Sequence, residues 1–157
     1  MITLRDVTIS DKSIYENWQN DSNLTGCMSR FCPYNSSVED YNTERICWFV
    51  IEKDACDVGS VWIEKEQESS DTATLGIFIS GEQYRGKGLG SEAIKEAIRI
   101  SRRRIDFQKV RLNVRKNNPG AVQCYMKCGF TITGEGQKVS LDATVIPYYS
   151  MEVKADV

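Results

Sequence analysis

Alternation and periodicity divide the 157-residue chain into short apolar segments separated by polar turns. "ITLRDVTI", Ile2–Ile9, mostly alternates and predicts a strand. "DKSIYENWQN" predicts a short helix capped by Ser10 or Asp11. Residues 21–35 are polar and irregular. "SSVEDYNTER" opens on Ser36 with Glu39 three positions later, a capping-box pattern that predicts a second helix. Ile46–Glu52 and Ser60–Glu66 predict a hairpin turning through "KDACDVG", and Thr72–Ser80 a third strand after "QESSD". Ala93, Ile94, Ala97 and Ile98 recur at helical spacing. "KVRLNVR" alternates Val110, Leu112 and Val114 as a strand. In "NNPGAVQCYMKCGF", Asn118 suits an N-cap, Pro119 the first helical position and Gly129 the stop. "FTITGEG" and Val145–Val153 complete the pattern as two strands.

The predicted order is β-α-α-β-β-β-α-β-α-β-β. It describes one α/β domain over residues 1–157, with a mixed, mostly antiparallel sheet. A meander comes first, then a central parallel β-α-β crossover, then a closing pair, flanked by about four helices.

Composition narrows the function classes. The chain is 41% hydrophobic and 27% charged, ordinary for a folded domain. Its net charge of −2 argues against nucleic acid as the main partner. No apolar run approaches a membrane span, and "MITLRDVTISD" lacks a signal-peptide pattern, so a cytoplasmic location is expected. The six cysteines are then expected as thiols. Cys27 and Cys32 are five apart in a loop; Cys124 and Cys128 are four apart on a helix, where Cys124 reads as packing. Without a Cys-x-x-Cys pair or any histidine, no metal site is expected, and Ser-His and Cys-His nucleophiles are excluded. "NLT" and "NSS", at Asn23 and Asn35, match the glycosylation pattern but matter only in a secreted chain. Arg102–Arg104 read as cations suited to a helix C-terminus.

The stretch "YRGKGLGSEAI", Tyr84–Ile94, is harder to explain as structure alone, because three glycines precede a helix. A phosphate loop would need Gly-Lys followed by Ser or Thr, which is absent. Gly88-Leu89-Gly90-Ser91-Glu92-Ala93 fits a dinucleotide fingerprint. The next strand, however, ends in "NVRKNN" without the acidic residue that would hold a ribose, and too little chain follows to finish a doubly wound sheet. A strand-loop-helix unit of this kind does aim backbone N–H groups at an anion, and Arg85 and Lys87 add positive charge.

"RGKGLG" resembles the Arg/Gln-x-x-Gly-x-Gly/Ala signature of the GNAT superfamily of acyl-CoA N-acyltransferases. "VRLNVRKNNPGAVQCYMKCGF" resembles that family's second signature, with Asn118, Ala121, Tyr125, Gly129 and Phe130 in place. "ITLRDVTISD" and "YYSMEV" extend the likeness across nearly the whole chain. The resemblance lies nearest to the ribosomal-protein and polyamine acetyltransferases.

The resemblance implies acetyl-CoA as co-substrate. Its pyrophosphate would lie against Arg85, Gly86, Lys87, Gly88, Leu89, Gly90 and Ser91, and its pantetheine arm along Phe78, Ile79 and Ser80, with Asn118 touching the arm or only capping its helix. Tyr125 would be the general acid for the leaving thiolate. Positions that carry a glutamate base in better-known members hold Thr74 and Asn113 here, which leaves Glu64 as a candidate base. Phe31 and Tyr34 would line the acceptor groove or merely anchor its loop. The implied activity is direct attack of a primary amine, on a small molecule or a protein N-terminus, upon the thioester. The alternative is a non-catalytic acyl-CoA-binding or sensing module. Family members often pair, so a homodimer is an expectation.

Overall fold

A computed structural model describes residues 1–25 and 30–155. Seven strands form one sheet: β1 (Thr3–Asp6), β2 (Ile46–Lys53), β3 (Cys56–Lys65), β4 (Thr72–Ile79), β5 (Lys109–Arg115), β6 (Thr131–Val139) and β7 (Val145–Lys154). Their spatial order is β1-β2-β3-β4-β5-β7-β6. All neighbouring pairs are antiparallel except β4 and β5, which run parallel. The described helices are α1 (Lys12–Gln19), the single turn α2 (Ser22–Thr25), α3 (Leu89–Ser101) and α4 (Pro119–Lys127). The single α/β sheet with its β4-α3-β5 crossover is the architecture expected from the sequence.

β2 and β3 are buried on both faces, so they show almost no polar alternation. Cys47, Phe49, Ile51, Val61 and Ile63 join Ala93, Ile94, Ala97 and Ile98 of α3 in one core. Trp48, Val50, Trp62 and Phe78 join Tyr15 and Trp18 of α1 in a second, aromatic core on the other face. Ser60 is the polar hub of that core. Its hydroxyl accepts from Trp48 Nε1 at 3.1 Å, donates to the Phe49 carbonyl at 2.8 Å and meets the Tyr15 hydroxyl.

Several sequence expectations are corrected. The helix expected over 36–45 is absent. Ser37 and Asp40 instead exchange backbone bonds at 3.1 Å, and Tyr41 donates from its hydroxyl to the Val7 carbonyl while its ring meets Trp48. Val38 and Tyr41 alone pack on the core from this stretch, too narrow a stripe to hold a helix. β1 stops at Asp6, because a 3-10 turn over Ile9–Asp11 takes its end. Asp11 does not cap α1 with its side chain. It closes the 3-10 turn by accepting from the Thr8 N–H at 2.8 Å, and it accepts from both Arg5 Nη atoms at 2.9 and 2.7 Å. The β2–β3 loop is only Asp54-Ala55, both in the left-handed region, so β3 begins at Cys56. Cys27, five residues before Cys32, lies outside the described residues. No helix among the described residues is long and apolar enough to cross a membrane.

Candidate active site

The site begins as a fault in the sheet. β4 and β5 pair only at Thr72↔Lys109, Ala73↔Val110 and Thr74↔Arg111. Beyond that point β4 stays with β3 as far as Gly59↔Ile79, and β5 stays with β7 as far as Arg115↔Tyr148. The two strands therefore diverge, and a cleft of about 920 Å³ opens between them.

The glycine loop stands at the mouth. Gly86 and Gly88 adopt φ of 72° and 80°, and a Cβ at either would meet nothing within 4 Å. They are required by backbone angle, and the space in front of them is open. Gly90 has a different reason: its Cβ would stand 3.1 Å from Cys124 Sγ, so it lets α3 pack against α4. Gly88 is the N-cap of α3 and supplies no side-chain cap to the first turn. Residues 88–91 line the cleft, which puts the positive end of the α3 dipole at its wall.

Asn118 does cap α4, accepting from the Ala121 N–H at 3.3 Å, and it also lines the cleft. Capping uses its oxygen and does not need its amide N–H groups. Tyr125, 9% exposed, lies on the cleft wall with its ring against Phe130. Burial raises the Tyr125 phenol above its ordinary range, and neighbouring Cys124 and Cys128 push the same way. The phenol therefore stays protonated at neutral pH.

The structure separates the remaining sequence-predicted residues. Arg85, Leu89, Ser91, Phe78, Ile79 and Tyr34 line the cleft. Lys87 is exposed outside it. The Ser80 N–H bonds to the Val58 carbonyl at 2.7 Å, so it faces β3 and not the gap. Phe31 packs edge-on to Phe78, 5.3 Å between centroids, beside the smaller recess that it lines with Cys32, Pro33 and Tyr34. Glu64 is buried at 7% exposure and is not part of the cleft lining. Its Oε2 accepts from Arg30 Nη1 at 3.0 Å and its Oε1 from the Tyr34 N–H at 3.2 Å. Asn113 accepts from the Ser150 hydroxyl at 2.8 Å.

Most of the cleft's charge has no counterpart in the sequence motifs. Among the described residues, Arg30, Arg85, Arg111, Arg115, Lys127 and Lys138 line it, against the single carboxylate of Glu152, although the chain as a whole is at −2. The alternation of β5 could have revealed Arg111 and Arg115, since they share a face opposite Leu112 and Val114. Lys138 and Glu152 carried no local signal, because only the tertiary pairing of β6 and β7 brings them alongside β5.

A mixed sheet split at its one parallel pair, with a glycine loop and helix start at the mouth, defines an acetyltransferase-type domain. The chain belongs to the acetyltransferase (GNAT) family, whose model matches residues 12–130. Spermidine N(1)-acetyltransferase of Escherichia coli K12 is 33% identical over 102 residues, 65% of this chain and 53% of that protein. L-amino acid N-acetyltransferase AaaT of the same strain is 30% identical over 101 residues, 62% of each chain. The chain thus spans roughly half to three-fifths of the length of these curated relatives. Among solved structures, spermidine N-acetyltransferase from Vibrio cholerae in complex with CoA and spermine superposes with a TM-score of 0.78 at 20% identity, covering 98% of this chain and 95% of that one. Aminoglycoside acetyltransferase AAC(6')-Ib in complex with coenzyme A and kanamycin does so with a TM-score of 0.74 at 19% identity, covering 98% and 95%. At these identities the likeness is one of fold.

Proposed function

We propose that the protein transfers an acetyl group from acetyl-CoA to a primary amine on a small molecule. The observation that carries this is the split between β4 and β5, open beside a glycine-started helix. The residues present fit the coenzyme. The first turn of α3, Arg85 and Lys127 would hold its phosphates. Inner-edge backbone groups of Leu75–Ile79 would bond its arm as an added strand. Acetyl-CoA supplies an activated thioester and a thiolate leaving group. Tyr125 donates a hydrogen bond to the developing thiolate; its phenol is a weaker acid than a thiol by at least about 2 kcal/mol, so the proton moves late. Glu152, the one carboxylate among the described cleft-lining residues, takes the amine proton through water. Glu64, with both oxygens engaged, instead positions Arg30 and the Tyr34 backbone.

The charge census favours a monoamine over a polycation. With Arg85 and Lys127 given to the coenzyme and Arg30 paired with Glu64, a polyamine would still meet Arg111, Arg115 and Lys138 against the one carboxylate of Glu152 among the described cleft-lining residues. A protein N-terminus remains the second acceptor class, to be tested as a peptide. The rival reading, a coenzyme-binding module without turnover, draws on Thr74 and Asn113 standing where a base is expected.

The test is release of free CoA thiol from acetyl-CoA across monoamines, amino acids, polyamines and N-terminal peptides, with acetyl-CoA binding measured in parallel. Turnover on a monoamine, reduced by Glu152→Gln, is expected. Tight binding with no turnover on any amine would establish the sensor reading. Turnover on spermidine alone would refute the charge argument.

A further inference from the structure

We propose that Cys124 is a thiol-exchange site that forms a mixed disulfide with a low-molecular-weight disulfide, of the oxidised-glutathione class, inside the cleft. The site is a cluster, not a single thiol. Cys124 lies on α4 and Cys128 is the C-cap residue four positions on, and both touch Ser91 in the first turn of α3. Ser91 Oγ is 3.5 Å from Cys124 Sγ, and Cys128 Sγ is 3.7 Å from the Ser91 carbonyl that it donates to. The missing side chain of Gly90 is what lets Cys124 approach the helix start so closely. Cys124 is half-buried and lines the cleft, so a reagent in the cavity reaches it. Cys47 is fully buried.

These neighbours favour the thiolate. The neighbouring Cys128 thiol pushes the Cys124 thiol down to about 6, against the opposing effect of burial, with Ser91 and the Lys127 charge adding to the shift. Cys128 moves the opposite way and keeps its proton, because its neighbour holds the negative charge. A helix N-terminus beside the sulfur acts in the same direction. No histidine is needed, so the absence of histidine from the sequence does not make this cysteine inert.

The exchange balances without further reagents. The Cys124 thiolate attacks one sulfur of RSSR, and a new S–S bond forms as the old one breaks. RS⁻ leaves with the electron pair and takes a proton from water; Cys124 is oxidised and the departing RS is reduced. Closure to an internal Cys124–Cys128 bridge is disfavoured. Side chains four apart on a helix have Cβ atoms about 5–6 Å apart, whereas a disulfide needs roughly 3.5–4.5 Å. The product therefore remains a mixed disulfide, reversible by free thiol.

The experiment treats the full chain with oxidised glutathione at pH 7 and follows intact mass and peptide maps. One adduct at Cys124 is expected, removed by dithiothreitol, absent in Cys124→Ser and formed more slowly in Cys128→Ala. Acetyl-CoA should slow the reaction about tenfold or more. That arm alone rests on the coenzyme reading: labelling that acetyl-CoA does not slow upholds the exchange site and refutes only the coenzyme's placement. Adducts confined to Cys56, a Cys124 rate equal to that in the urea-unfolded chain, or loss of two hydrogens without an adduct would each overturn the proposal.

Discussion

Gly88→Ala separates a backbone requirement from a packing one. Gly88 sits at φ 80°, ψ 5°, and a Cβ there would meet nothing within 4 Å. The whole penalty is therefore conformational, about 1–2 kcal/mol for a left-handed L-residue. The unfolded chain also loses freedom, which returns about 0.4–1 kcal/mol, so the net destabilisation is about 1 kcal/mol. For a domain of this length that lowers Tm by about 2–4 °C. Gly120→Ala is the internal control. Gly120 lies in the first turn of α4, has no positive φ and would also meet nothing. The same chemical change there should raise Tm, through the roughly 0.4–1 kcal/mol unfolded-state effect. Thermal unfolding by circular dichroism without ligand reads both. Backbone relaxation at Gly88→Ala also moves the Leu89 and Gly90 N–H groups, and calorimetry should show acetyl-CoA affinity falling about tenfold, or ~1.4 kcal/mol. A Tm that rises in both variants would refute the conformational argument, and unaltered affinity at Gly88→Ala would refute the cradle.

Tyr125→Phe should lower kcat by roughly 10²-fold with acetyl-CoA affinity retained; unchanged kcat in stopped-flow thiol detection would remove Tyr125 as the donor. Glu152→Gln should lower kcat/KM most at low pH, where less free amine is available, and a uniform loss across pH would point to a packing role. Alkylation of Cys124 by iodoacetamide should rise with pH to half its maximum near 6; the groups facing the sulfur are Cys128, Ser91 and Lys127, and a midpoint near that of an ordinary thiol would refute the cluster's effect. Burial opposes ionisation of Asp11, but the Arg5 fork and the Thr8 N–H outweigh it and hold its carboxyl below the ordinary range. Its contribution is therefore present above the unfolded value of about 3.9 and fades as pH falls through the lower folded value. The urea midpoint should hold from pH 8 to 5 and fall below about pH 4. Asp11→Asn should cost about 2 kcal/mol, below the fully buried range because Arg5 is a third exposed, and should flatten that acid limb.

What could be read in the sequence was local chemistry with one dominant reading. α4 began and ended where Asn118, Pro119 and Gly129 placed it, because cap, first-turn proline and left-handed stop are each set by a few neighbouring atoms. β5 matched "KVRLNVR" because only one of its faces is buried. Residues 36–45 misled because Ser36 and Glu39 formed a capping pattern with no apolar stripe behind it. The three loop glycines looked alike in sequence, yet two answer to backbone angle and one to Cys124. That distinction depends on α4, more than thirty residues further on. The engagement of Glu64 by Arg30 and the cationic lining from β5 and β6 were equally out of reach, since strand pairing and loop docking create them.

The fault between β4 and β5 links stability to function. Each strand is paired on its outer side, β4 to β3 and β5 to β7, and those pairings hold the two apart. The inner edges beyond Thr74 and Arg111 therefore keep backbone groups unpaired within the sheet, a state that sheets otherwise avoid or cover. A ligand with amide groups along its length can complete these edges as a short strand, while its anionic end meets the α3 N-terminus. Binding then restores hydrogen bonds that the fold forgoes. Acetyl-CoA at a fixed concentration, one hundred times its Kd for the unaltered protein, should accordingly stabilise the native state by about 2.7 kcal/mol. The gain should persist in Tyr125→Phe, which leaves both edges intact, and shrink in Gly88→Ala, which disturbs the anion end. Equal stabilisation of all three proteins would mean that the coenzyme does not bind across the split.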